Sequence, residues 1–183
     1  MRALLPAALV LAVSACQGGG AAPDAAAGAL TADLLPFEAS SAAFTNARDG
    51  TPRTLRVVPS ADGRAARLVL EAPGGAAPGE IRVTRRDDSL WFSADVDLGT
   101  ELIRIGAAPG AAWESQGRRV RFEGWESLPL GASNVEAARI VARRGPAGLE
   151  RAETWWFARG VGLVRLKPER GSMSPDELVR VAR

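Results

Sequence analysis

The chain has 183 residues, and its 23 Arg and Lys against 21 Asp and Glu leave a formal net charge of only +2. It has no His, no Tyr and one Cys, which excludes the usual His/Cys zinc centres, Ser–His and Cys–His nucleophilic pairs and any disulfide within one chain. Near-neutral charge, with Lys167 the only lysine, also excludes an extended basic footprint for nucleic acid.

The chain begins with Arg2, an apolar run over 3–13, and then Ser14, Ala15 and Cys16. The run has the length of a secretory signal core and falls short of the roughly 20 apolar residues that a spanning helix needs. Val13-Ser14-Ala15-Cys16 reads aliphatic, small, small, Cys. In that order it resembles, position by position, the cleavage motif of bacterial envelope lipoproteins. The resemblance implies a diacylglyceryl group on the Cys16 thiol, cleavage before Cys16 and fatty acylation, palmitate for example, at the new amino terminus. A thiolate suits this chemistry because it is a far better nucleophile than a hydroxyl near neutral pH. Each buried methylene contributes roughly 0.8 kcal/mol, so two or three chains hold a protein firmly to a bilayer. In that family Asp after the Cys favours the inner membrane. Gln17 therefore implies an outer-membrane anchor facing the periplasm.

Residues 17–29 carry no large side chain, and such a segment cannot bury enough surface to offset its ordering entropy. The organisation expected is a signal peptide over 1–15, a lipidated flexible tether over 16–29 and one β-rich domain over 30–183. As a coil the tether spans about 20 Å.

From Leu34 onward, short apolar runs alternate with Gly/Pro turns such as Pro73-Gly74-Gly75, Pro78-Gly79 and Pro109-Gly110. That spacing predicts antiparallel strands. The clearest is 89–96, with Leu90, Phe92, Ala94 and Val96 on one face and Trp91, Ser93, Asp95 and Asp97 turned to the other. Val120 and Phe122 alternate with Arg119, Arg121 and Glu123 in the same way. Further strands are predicted at 55–58, 67–70, 81–84 and 102–105. Two stretches carry local helix signals, Ser133-Asn134-Val135-Glu136 and Ser174-Pro175-Asp176-Glu177. The first also reads as a strand, with Ala138, Ile140 and Ala142 on one face.

The segment Trp155-Trp156-Phe157-Ala158-Arg159-Gly160-Val161-Gly162-Leu163-Val164 resembles a C-terminal hairpin of bacterial periplasmic and lipoprotein domains of unknown function. Pro109-Gly110-Ala111-Ala112-Trp113 and Leu128-Pro129-Leu130-Gly131 are similar to turns that precede it there. The resemblance implies antiparallel strands from the Leu-Pro element onward, so 135–143 and 177–182 are expected as strands. The fold expected is mainly β: a curved antiparallel sheet, either a sandwich or a partly open barrel, with little helix outside the signal peptide. Gly160 and Gly162 supply the positive φ that a tight reversal needs. Trp155 and Phe157 fall on one strand face and Trp156 on the other.

No catalytic constellation emerges. Asp87-Asp88 and Asp95-x-Asp97 are the densest carboxylates, with arginines close by and no Asp-x-Asp-x-Asp-Gly loop. Paired acids also serve glycoside hydrolysis, and a carboxylate-based hydrolase is the one enzyme class left. Gly18-Gly19-Gly20 lacks the Lys-Ser/Thr of a phosphate loop. The reading is a non-enzymatic, lipid-anchored binding or structural module, needing no cofactor and no metal, whose partners are membrane lipid through Cys16 and an envelope protein. The alternative is a carrier of an apolar ligand inside the curved sheet. Trp91, Trp155 and Trp156 are the candidate ligand or partner face.

Overall fold

The computed structural model describes residues 28–74, 79–93, 99–146, 149–168 and 177–181. Among them the chain is mainly β, and its only helical element is a 3-10 turn, Ala32–Leu34. Twelve strands follow: β1 Ser40–Asn46, β2 Pro52–Pro59, β3 Ala65–Glu71, β4 Gly79–Arg86, β5 Ser89–Ser93, β6 Thr100–Arg104, β7 Ala112–Ser115, β8 Arg118–Leu130, β9 Ser133–Arg144, β10 Arg151–Ala158, β11 Gly162–Lys167 and β12 Leu178–Val181.

They form one antiparallel sheet in the order β6-β5-β4-β3-β2-β1-β12-β11-β10-β9-β8-β7. Every pairing joins neighbours in sequence except β1 with β12, which ties the two ends of the domain together. The sheet edges, β6 and β7, are also consecutive in the chain and lie side by side, so the sheet is nearly closed and barrel-shaped. At that seam side chains take the place of a backbone ladder. The Trp113 indole donates to the Glu101 carbonyl at 2.8 Å, and the Glu101 N–H donates to Ser115 Oγ at 2.7 Å. Unpaired edge groups are thereby satisfied.

Period-two alternation fills the inside. Phe44, Leu55, Leu68, Val83, Leu90, Phe92, Val120, Phe122, Ile140, Trp155, Phe157 and Leu178 belong to one buried cluster. The helix signal at 133–136 loses to this pattern. Ala138 and Ile140 are fully buried and Ala142 nearly so, each on the inner face of β9, and a helix would turn them in different directions. Of the second helix signal, 174–176 lies outside the described residues, and Leu178–Val181 is strand. Asp95 and Asp97, with the last part of the 89–96 prediction, also lie outside them.

Three bulges correct the register where strict alternation would misplace side chains. On β6 the extra residue is Leu102, which lets both Leu102 and Ile103 be buried. On β8 it is Glu123, and on β11 it is Val164.

Residues 28–37 form a strap across one mouth. Leu30, Leu34 and Leu35 are at most 2% exposed. The Leu30 N–H donates to the Ala107 carbonyl at 3.0 Å, and the Gly106 N–H returns to the Leu30 carbonyl at 2.9 Å. The Gly160 N–H donates to the Asp33 carbonyl at 2.9 Å, and the Arg85 guanidinium lies over the Phe37 ring.

Candidate functional site

Tryptophan is the residue type that most often marks a binding face, and four of the five here lie under an arginine. Arg86 is 4.4 Å from the Trp91 ring centroid, Arg104 5.1 Å from Trp113, Arg159 4.6 Å from Trp125, and Arg165 4.9 Å from Trp156. Each of these indoles also donates a hydrogen bond, to Ser89 Oγ, the Glu101 carbonyl, the Gly28 carbonyl and Glu126 Oε1 respectively. Both the ring face and the polar edge are therefore occupied.

Trp155 is the exception. It lies inside, stacked nearly parallel to Phe157 and tilted against Phe92 at 5.5 Å, and its Nε1 has no acceptor. Phe92 also meets Phe157 at 5.7 Å. These contacts span from β5 to β10, on opposite walls, so at this level the interior is filled by touching rings.

The three tryptophans singled out in the sequence do not share a surface. Trp91 is on the outer face of β5 and Trp156 on the outer face of β10, across the barrel, with Trp155 between the walls. Around Trp156 the outer face is an Arg/Glu lattice. Arg139 lies 5.8 Å from its ring and 3.1 Å from Glu123, and Arg165 pairs with Glu177. Ala137, Ala158 and Val164 form a small apolar cluster beneath. Cys16 lies outside the described residues.

Asp87-Asp88 forms the β4–β5 turn. Asp87 takes φ 45°, a conformation that Asp tolerates better than most residues, so turn geometry accounts for this pair. Among the described residues no group of three or more acidic side chains could hold a metal ion. Arg180 sits partly buried, donating to the Val161 carbonyl at 2.6 Å, and burial lowers its guanidinium pKa.

The concavity that sequence reasoning missed lies beside the strap. The β8–β9 hairpin overshoots its neighbour: β9 pairs with β10 only as far as Ala137↔Ala158, while β8 and β9 stay paired out to Leu130↔Ser133. The overhang and the β10–β11 turn enclose a groove of about 300 Å³, lined by Trp125, Val135, Glu136, Ala158, Arg159 and Val161. The Glu123 bulge sets Trp125 at its wall, edge-on to Phe122. The Trp125 indole holds the Gly28 carbonyl at 2.6 Å and Arg159 holds the Ala29 carbonyl at 3.2 Å. The only sequence hint was Gly124 before Trp125.

Compared with known proteins, the chain matches no family model, no curated protein and no solved structure.

Proposed function

We propose that this chain is a lipid-anchored, non-enzymatic module of the bacterial envelope, held at the outer membrane through Cys16 and facing the periplasm, which works by contact through its outer surface. The observation that carries the reading is the way its aromatic side chains are used. Rings of opposite walls touch inside the barrel, and three leucines of the strap cover one mouth. What remains for recognition is exterior surface. The leader ending at Cys16 supports the address, and the strap supports a mechanical link between anchor and fold.

The carrier reading and the carboxylate-hydrolase reading draw less support. A carrier needs a lumen with room for an apolar ligand, and touching walls oppose that. A hydrolase needs two acids flanking a cleft. The Asp87-Asp88 pair sits in a hairpin turn, and Asp95 and Asp97 lie outside the described residues.

Intact-mass measurement and fractionation in a two-membrane bacterium test the anchor. The protein is expected in the membrane fraction, starting at Cys16 and heavier than its polypeptide by the acyl groups. Cys16→Ala is expected to remove the extra mass and release the protein. Membrane binding and mass unaffected by that substitution would overturn the reading. Native mass spectrometry of the released form addresses the carrier: bare polypeptide is expected, and a tightly held lipid would favour the alternative.

A further inference from the structure

We infer that the groove beside the strap is the membrane-facing end of the domain, and that it seats the headgroup of a zwitterionic phospholipid from the bilayer holding the anchor. The inference rests on the lipid attachment proposed above. Two features of the structure point to it.

The first is position. Trp125 and Arg159, two of the groove's lining residues, are also the side chains that clamp Gly28 and Ala29. The chain that leads back to Cys16 therefore departs from the groove's own wall. Residues 16–27, which join Cys16 to that wall, span at most roughly 40 Å in any conformation. Within that reach a bilayer lipid stands at an effective concentration on the order of millimolar or above, so a weak site is occupied once the protein is anchored.

The second is chemistry. The groove offers both charges, Arg159 and Glu136, above apolar Val135, Ala158 and Val161. A guanidinium matches a phosphate, a carboxylate matches the adjoining ammonium, and the apolar floor suits the first carbons of the acyl chains. Trp and Arg are the side chains that settle at a membrane–water interface. The volume is at the small end of ligand sites, suited to a headgroup rather than a whole lipid. At the opposite mouth the inner-face charges Arg118 and Glu153 are paired with each other. That mouth's most exposed apolar side chain, Leu149, stands alone on the β9–β10 turn, and single exposed apolar residues are ordinary.

The test uses full-length protein lipidated in its host. Cys16 is the only cysteine, so once it is acylated an introduced cysteine is the only free thiol. Asn134→Cys sits exposed on the groove's rim and Leu149→Cys at the far mouth. Each is labelled with an environment-sensitive fluorophore and the protein is placed in vesicles of phosphatidylethanolamine and phosphatidylcholine. The rim label is expected to be shielded several-fold from an aqueous quencher and the far label to stay accessible. Adding Glu136→Gln, or replacing the zwitterionic lipids with phosphatidylglycerol, is expected to reduce the shielding. Equal accessibility at both positions, or shielding at Leu149→Cys instead, overturns the inference while leaving the anchor standing. Shielding indifferent to both Glu136→Gln and lipid charge overturns the headgroup assignment. Two labels per chain and no acyl mass would mean that Cys16 is free, and both readings would fall.

Discussion

Trp155 and Trp156 are neighbours in sequence, 4% and 5% exposed, and buried by opposite means. Trp155 is covered by aromatic and aliphatic side chains, with its N–H unanswered. Trp156 lies outside the barrel under Arg139 and Arg165, with its N–H on Glu126. Equal burial thus conceals different physics. The inner ring depends on packing that solvent cannot replace. The outer ring depends on charged side chains whose methylene stems cover it and whose ion pairs respond to salt.

Truncation separates the two most strongly. Trp155→Ala is expected to cost about 3–5 kcal/mol, the range for a large buried aromatic, read as a lower urea midpoint. Trp156→Ala is expected to cost about half as much, because the flexible Arg139 and Arg165 side chains can close over the gap. Equal losses would mean that the outer lattice is as rigid as the core.

Substitution by Phe sharpens the contrast. At Trp156 it removes a hydrogen bond to a carboxylate, and a loss of about 1–2 kcal/mol is expected. At Trp155 the smaller ring leaves a void but also removes an unsatisfied buried donor, so the net change is expected within about 1 kcal/mol of zero. Parallel denaturation curves decide it.

Arg165→Ala removes both a cation–π contact and the ion pair with Glu177. A loss of about 0.5–2 kcal/mol is expected, shrinking in molar salt, whereas the cost of Trp155→Ala is expected to be indifferent to salt. A salt-independent Arg165→Ala effect would show that the side chain acts by packing alone.

The smallest effect belongs to the β2–β3 turn, where charge has no ring to cover. Asp62 accepts from Ser60 Oγ and from the Arg64 N–H, and these hydrogen bonds lower its pKa below the usual 3.8. A lowered folded-state value stabilises the turn above the unfolded pKa, and the gain is lost as pH falls through the folded value. An NMR titration should show Asp62 protonating below 3.8, and Asp62→Asn should abolish the local change. A midpoint at or above 3.8 would contradict the turn's hydrogen bonding.

The sequence made much of the barrel legible because its walls obey a period of two. Leu90 and Phe92 face inward with Trp91 outward, and Trp155 and Phe157 oppose Trp156, as their spacing required. The 133–144 stretch showed that local cap chemistry yields to Ala138, Ile140 and Ala142 on one buried face. Strands β1 and β7 went unread. Ser40-Ser41-Ala42-Ala43 has small side chains and little β preference, and β7 is only four residues long. The bulges at Leu102, Glu123 and Val164 are not encoded in alternation, so the placement of Trp125 was hidden. The groove was hidden for a further reason. Its walls come from residues 125, 135–136, 158–159 and 161, brought together by the overshoot of one hairpin past the next.

Photoreactive phospholipids offer the most direct test of where this barrel meets lipid. Anchored protein in vesicles bearing a diazirine near the headgroup would be irradiated, digested and mapped. Adducts are expected at Trp125, Val135 and Val161, with none on the inward-facing Leu68, Leu90 or Phe92. Adducts on those three inner side chains would contradict a filled interior and establish the barrel as a lipid container.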